Sequence, residues 1–225
     1  MLRKKKSKMG IRLKTRHELH LARKAWHVST GIFGLWAYVF SGISRTGSIA
    51  ILSSILAFVI GMELLRLNSA SINRWSQRWL GVIMRKHEAQ NVSGVPYFVA
   101  AALISIILFP KPIAILAILY LTIGDPCASV VGILYGDQWI RFSNGKSLLG
   151  AIASGGVCFA STFPVLAQYE ISFWAILVMG LMGGVAAAAA ETIPSQIDDN
   201  FVIPLASGFV LWGVAMMLGV EFIAS

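Results

Sequence analysis

The sequence predicts an all-α fold, a polytopic membrane helix bundle of about seven transmembrane helices with its N-terminus in the cytoplasm. Hydrophobic residues make up 56% of the 225 positions and charged residues only 13%, and mean hydropathy is +0.73. A water-soluble domain of ordinary composition carries far more charge. The apolar residues also fall in runs of about 17–25, the length that crosses a hydrocarbon layer of about 30 Å as a helix. Finally, the basic residues are concentrated in the segments that seven crossings would leave on one side.

In chain order the runs cover residues 25–42, 47–65, 94–110, 112–134, 148–168, 172–190 and 201–223. Phe109-Pro110-Lys111-Pro112 separates the third from the fourth, a turn suited to a helical hairpin. Gly124-Asp125-Pro126 interrupts the fourth, which predicts a broken or kinked helix there, because proline cannot donate its backbone hydrogen bond. More spans follow the first and no small-residue cleavage site is evident, so the first is not expected to be a cleaved leader.

Of 19 Lys and Arg residues, ten lie within residues 1–25, five in the 66–93 loop and two in the 135–147 loop. A cytoplasmic N-terminus puts these 17 inside and leaves Arg45 and Lys111 outside, as the positive-inside rule demands. The formal net charge of +9 then reads as topology signal and attraction to anionic lipid headgroups. No nucleic-acid motif accompanies it, so no nucleic-acid partner is expected. The 66–93 loop interleaves its bases with Trp75, Trp79, Leu80, Val82, Ile83 and Met84, the pattern of an interfacial amphipathic helix. Cys127 and Cys158 form no CxxC pair and read as packing residues. The organisation is a basic cytoplasmic arm, residues 1–22, followed by a single transmembrane domain, 23–225, that contains the amphipathic loop.

Four polar groups on the cytoplasmic side carry the chemistry. Arg23, Lys24 and His27 share a helical face at the mouth of the first span, able to hold a phosphate or simply to snorkel to the interface. Glu63 and Arg66 stand three apart at the end of the second, as a structural ion pair or members of a site. Asp125 lies well inside an apolar segment, where an ionisable residue is a functional candidate; Ser129 follows on its helical face. Lys146 and Ser147 lie in Gly145-Lys146-Ser147, but Ile140 occupies the first-glycine position of a phosphate loop, so a true P-loop is not supported.

The fourth group is the loop from Glu191 to Asn200. It holds Glu191, Asp198, Asp199 and Asn200, has no Lys or Arg, and lies on the positive side of the membrane. Asp and Asn at the start of a helix are ordinary caps, which accounts for one of the acids. A small-residue stripe, Gly180, Gly183, Gly184, Ala187 and Ala188, delivers Glu191 to it. Carboxylates for Mg²⁺ or another divalent cation, together with Lys and Arg for phosphates, suit phosphoryl or nucleotidyl transfer, which depends on positioning and charge neutralisation.

The ordered set Arg23-Lys24-x-x-His27, Glu63-x-x-Arg66, Gly124-Asp125-x-x-Ala128-Ser129-x-x-Gly132, Lys146-Ser147-x-x-Gly150 and Glu191-x-x-Pro194-x-x-x-Asp198-Asp199-Asn200-x-x-x-Pro204 resembles the polyprenol kinase superfamily. This superfamily takes in dolichol kinases, phytol kinases and CTP-dependent diacylglycerol kinases. The resemblance implies transfer of the terminal phosphate of a nucleoside triphosphate, usually CTP, to the hydroxyl of a membrane lipid alcohol. On that basis Asp125, Glu191 and Asp199 are the expected catalytic residues, and Asp125, Asp198 and Asp199 the expected metal ligands. Arg23, Lys24, His27, Ser129, Lys146, Ser147 and Asn200 are expected at the nucleotide.

Two alternatives stand beside this expectation. A phosphatidate cytidylyltransferase would make a CDP-lipid, but the terminal Asp-Arg-x-Asp signature of those enzymes is missing. A transporter would suit the intramembrane Asp125 and broken helix, but the ionisable groups crowd one face and no inverted repeat is visible. The compact chain suggests a bacterial inner membrane with the site facing the cytoplasm. The oligomeric state is not readable.

Overall fold

A computed structural model describes residues 21–138, 140–193 and 197–222. The basic arm, apart from Leu21 and Ala22, and Pro194 of the acidic motif lie outside the described residues. Nine α-helices occur among the described residues: α1 (Leu21–Phe40), α2 (Arg45–Asn68), α3 (Ala70–Leu80), α4 (Gly94–Leu108), α5 (Lys111–Leu119), α6 (Asp125–Tyr135), α7 (Leu148–Leu166), α8 (Phe173–Thr192) and α9 (Asp199–Met217). Short 3₁₀ turns cover Lys86–Ala89 and Gly136–Gln138. The described residues contain no strand, only an isolated Arg141–Ser147 bridge. The all-α expectation holds.

Five helical stretches are long and apolar enough to cross a membrane: α2, the continuous stretch Lys111–Tyr135, α7, α8 and α9. This is the pattern of an integral membrane protein. The other two expected spans differ. α4 is apolar but only 15 residues long, and α1 carries Arg23, Lys24 and His27 in its first two turns.

The fourth expected span is not broken at Gly124-Asp125-Pro126 but is locally irregular just before it. A π-helical turn, Tyr120–Gly124, joins α5 to α6, and Pro126 follows in the first turn of α6. Proline has no N–H to donate to the preceding turn, and the widened π geometry accommodates it. This stretch is the most buried of the five. Its Ile113, Leu116, Tyr120 and Leu121 fill the core with Leu166, Met179, Ile203 and Leu211. Around it, α7 packs on α6 and α8, α8 on α9, and α9 on α4 and α5. The small-residue stripe makes the α7–α8 contact: a Cβ on Gly184 would sit 2.6 Å from the Gly155 carbonyl oxygen. Lipid supplies no hydrophobic drive for helix association, so such close backbone approach provides the packing.

α2 packs on α4 and α3 and otherwise faces outward. Two cations that stood apart from the basic cluster are explained by packing. Arg45 donates to the Ile106 and Ile107 carbonyls at 2.9 and 2.8 Å, capping the end of α4. Lys111 lies 5.9 Å from the centre of the Tyr38 ring. Helix α3 begins at Ser69, whose hydroxyl accepts from Ile72 N, and exposes Trp75, Trp79 and Leu80. It is the amphipathic element expected between α2 and α4.

Candidate functional site

The start of α7 is set by a tight hairpin. Phe142 N donates to Lys146 O at 2.8 Å, and Gly145, at φ +83°, takes the left-handed conformation the turn needs. Ser147 then caps α7 by accepting from Gly150 N at 3.0 Å. Its buried hydroxyl faces Gly132 and Gly136, so the structure places Ser147 in a helix cap and an α6–α7 contact. The hairpin projects Lys146 across to the ends of α8 and α9. Its ammonium lies 2.8 Å from Asp199 Oδ2 and 3.4 Å from Glu191 Oε1, and it donates to the Glu191 carbonyl. Asn144 ties the same hairpin to the Thr192 carbonyl at 2.9 Å.

Burial alone would pull the Lys146 ammonium down. Glu191 and Asp199 outweigh it and hold the group above its ordinary value. Glu191 is buried, and its Oε2 has no hydrogen-bond partner. Asp125, at the start of α6, is close enough to interact electrostatically with both Glu191 and Asp199. It acts in the same way on Arg23, Lys24 and Arg85. The field of Asp125 therefore links the acidic and basic sides of the site.

A second knot joins the α3–α4 segment to α9. Asp198 caps α9 by accepting from Asn200 N at 3.0 Å, and its other oxygen accepts from Arg85 Nη1 at 2.7 Å. Burial disfavours the Arg85 charge, but Asp198, Asp125 and Glu88 hold the guanidinium above its ordinary value. Glu88 is only 3% exposed. It accepts from Arg85 N at 2.7 Å, from Gly94 N at 3.2 Å and from Arg23 Nη1 at 3.4 Å. A Cβ on Gly94 would lie 2.5 Å from Asn200 Nδ2, with Arg23 and Asp198 within 4 Å. Only glycine lets these three side chains converge. Asn200 completes the contact by donating to the Gly94 carbonyl at 3.3 Å.

Reading the sequence alone missed Glu88 and Gly94 and counted Arg85 only as charge. The available signal was Arg85-x-x-Glu88, a glutamate placed to reach back to the Arg85 N–H around a short turn. Glu63 and Arg66 form a bidentate pair at 2.9 and 2.7 Å. Arg66 also reaches Asn73 Oδ1 and the Asn91 carbonyl, which ties α2 to α3 and to the approach to α4. His27 donates from Nε2 to the Leu121 carbonyl at 3.3 Å and meets the Phe98 ring edge-on. It docks α1 onto the π turn, apart from the Lys146 cluster. Ser129 is half-buried on α6.

Two cavities flank these knots. A polar cleft of about 360 Å³ is lined by Arg85, His87, Asn144, Lys146, Asp198 and Asp199. A larger cavity of about 570 Å³ runs between α1, α2 and α4 and is almost wholly apolar; Arg23, Glu63, Glu88, Gly94 and Asn200 line its polar end. Neither includes Asp125 or Ser129. The two linings are neighbours in the chain: His87 and Asp199 of the cleft directly adjoin Glu88 and Asn200, which line the cavity. Among the described residues no three His, Cys, Asp or Glu side chains gather as a metal-holding group.

A cleft of paired charges and an apolar-lined cavity, carried by five helices of membrane-spanning length, are features of an integral membrane protein. No family model matches the chain, and no solved structure does. Curated relatives do. The chain is 30% identical to the CTP-dependent diacylglycerol kinase 1 of Saccharomyces cerevisiae over 88% of its own length and 73% of that protein's. The Schizosaccharomyces pombe protein of the same name is also 30% identical, across 88% of this chain and 93% of the relative. The farnesol kinase of Arabidopsis thaliana is 28% identical, across 85% and 66%. The chain belongs to the polyprenol-kinase-like family of membrane lipid kinases.

Proposed function

We propose that this protein transfers the terminal phosphate of CTP to the hydroxyl of a membrane lipid alcohol, at the cytoplasmic face of a bacterial inner membrane. The observation that carries the reading is that a charged cleft and an apolar cavity of lipid dimensions draw on adjacent residues, His87 and Asp199 in the one and Glu88 and Asn200 in the other. The names of the relatives, CTP-dependent diacylglycerol kinase and farnesol kinase, support the donor and the class of acceptor. The 17 basic residues that one orientation puts on a single side support the cytoplasmic assignment.

In this reading the triphosphate lies in the polar cleft. Lys146 and Arg85 neutralise its oxygens, and Arg23 and Lys24 extend the positive field toward the acceptor. The lipid hydroxyl attacks the terminal phosphorus and passes its proton to the Asp199 carboxylate, the bond to the bridging oxygen breaks, and CDP leaves. Asp199, held by Lys146, and Asn200, held by Gly94, stand where the hydroxyl meets the nucleotide and orient it. Little covalent work is asked of the protein, because positioning and charge neutralisation dominate such transfers.

A divalent cation arriving with the nucleotide fits the donors present. Mg²⁺ commonly takes one or two carboxylates and completes its shell with phosphate oxygens and water. Asp125 and the unpartnered Glu191 Oε2 would hold it, while Asp198 is already engaged by Arg85 and the start of α9. Such an ion supplies further neutralisation of the phosphate oxygens.

The deciding assay gives the purified protein CTP, Mg²⁺ and a panel of lipid alcohols. CDP and a lipid monophosphate are expected. Pyrophosphate with a CDP-lipid would replace the kinase by a cytidylyltransferase, and nucleotide-independent solute uptake into vesicles would favour a transporter.

A further inference from the structure

The apolar cavity has a shape that the phosphate chemistry alone does not require. It follows α1 from Arg23 to Ser41 and is walled by α2 and α4 through Leu52, Ile55, Phe98 and Ala102. Eighteen residues of helix make about 27 Å at 1.5 Å per residue, close to the thickness of the hydrocarbon layer. Scaled from the roughly 150 Å³ cavity that holds one benzene ring, about 570 Å³ has room for roughly twenty carbon atoms. That is one hydrocarbon chain. Its polar end is the junction where Arg23, Glu88 and Asn200 stand. α1 and α2, consecutive in the chain, are not among the closely packed helix pairs, so the cavity lies between them on the outward-facing side of the bundle.

We infer that this cavity receives a single hydrocarbon chain of the acceptor alcohol with its hydroxyl end at the Glu88–Asn200 junction, and that the α1 face around Gly34 sets how long a chain is used well. The inference rests on the lipid-kinase reading of the site. Moving a chain from the bilayer into the cavity gains little hydrophobic free energy, because both surroundings are hydrocarbon. The cavity therefore selects by fit. Gly34 is the position to probe. It lines the cavity about 16 Å along α1 from Arg23, and a Cβ there would meet nothing within 4 Å. A larger side chain enters the cavity without striking the protein. A diacylglycerol would place one acyl chain inside and leave the other in the bilayer.

The test compares wild type, Gly34→Phe and Gly213→Phe on geraniol, farnesol and geranylgeraniol with CTP. Gly213, on α9, also has open space around its Cβ and does not line the cavity. Gly34→Phe is expected to lower kcat/KM for geranylgeraniol about tenfold or more while leaving geraniol within about twofold, a range typical of steric discrimination in apolar pockets. Gly213→Phe is expected to change neither. An equal loss on all three alcohols, or no loss, overturns the chain-length role. A second readout does not depend on turnover: a diazirine-bearing long-chain alcohol is photolysed with wild-type protein in phosphatidylcholine vesicles. Labels are expected on the cavity faces of α1 and α4 and are competed away by geranylgeraniol. Labels spread over the lipid-facing surfaces of α7, α8 and α9 and unaffected by competitor overturn the site. Cavity labelling by a protein that phosphorylates neither these alcohols nor a diacylglycerol would sink the kinase reading and leave the chain site standing.

Discussion

Lys146 gathers three chain segments with one ammonium: its own hairpin, the end of α8 and the start of α9. Lys146→Met is expected to cut kcat by about 10²–10³, the usual effect of losing one positioned charge at a transferring phosphoryl group; steady-state kinetics with CTP check it. The pair also has a pH signature. The lysine's folded-state value is raised above its ordinary 10.5, so the stabilisation is complete below that pH and is lost as pH rises through the raised value. Thermal unfolding from pH 7 to 11 should show the gap between wild type and Lys146→Met narrowing at the alkaline end. A constant gap would mean that the lysine contributes packing only. Gly94→Ala puts a methyl 2.5 Å from Asn200 Nδ2 and is expected to lower kcat/KM at least tenfold with under about 2 kcal/mol lost in stability. Kinetics and unfolding of the same preparation separate the two. At this scale the sequence was legible where an acid was costly. Asp125, Glu191 and Asp199 stood out because they adjoin apolar runs. Glu88 did not, because a glutamate in a basic loop reads as solvated, and its burial arises only when the turn folds under Arg23.

The interrupted fourth span and the glycine stripe of α8 are the elements whose patterns were strongest. Gly-Asp-Pro predicted a break or kink; the chain instead stays helical from Lys111 to Tyr135 and widens one turn into π geometry. The stripe predicted close packing, and α7 and α8 meet at Gly155 and Gly184. Gly184→Val is expected to push the helices apart and move Glu191 with them, lowering the unfolding temperature in detergent by several degrees and abolishing turnover. The obstacle is a backbone carbonyl, which cannot yield as a side chain does. Unchanged stability would mean that α7 and α8 slide without cost. Helix α1 was harder to read: its charged first turns and apolar remainder suit both a span and a helix that lines a cleft. Composition does not decide between them, because the cavity that α1 lines takes its far wall from α4, a helix distant in sequence.

Across the whole molecule, the charged groups collect at one end and the apolar cavity runs away from it. The orientation proposed from the distribution of basic residues has a direct check. Ser143 and Gln168 lie beyond opposite ends of α7. With Cys127 and Cys158 replaced by alanine, Gln168→Cys should react with an impermeant thiol reagent on intact cells. Ser143→Cys should react only after permeabilisation, and the reverse pattern would invert the protein. Fold class was legible at this scale because hydropathy is a sum over many residues. The juxtaposition of cleft and cavity was not, since it depends on side chains from α1, α4 and α9 meeting across more than a hundred residues of chain.

The π turn at Tyr120–Gly124 carries one residue more than an α-helical path would need. Each residue of an α-helix turns the chain by about 100°, so that surplus sets the azimuth of all that follows it. It lets α5 present an unbroken apolar surface to the core while α6 brings Asp125 within electrostatic reach of Glu191 and Asp199. Deleting Ile123 would restore ordinary helical phase, shorten nothing else, and swing the aspartate about a quarter-turn out of register with Glu191 and Asp199. A protein can thus be disarmed by making one of its helices more regular.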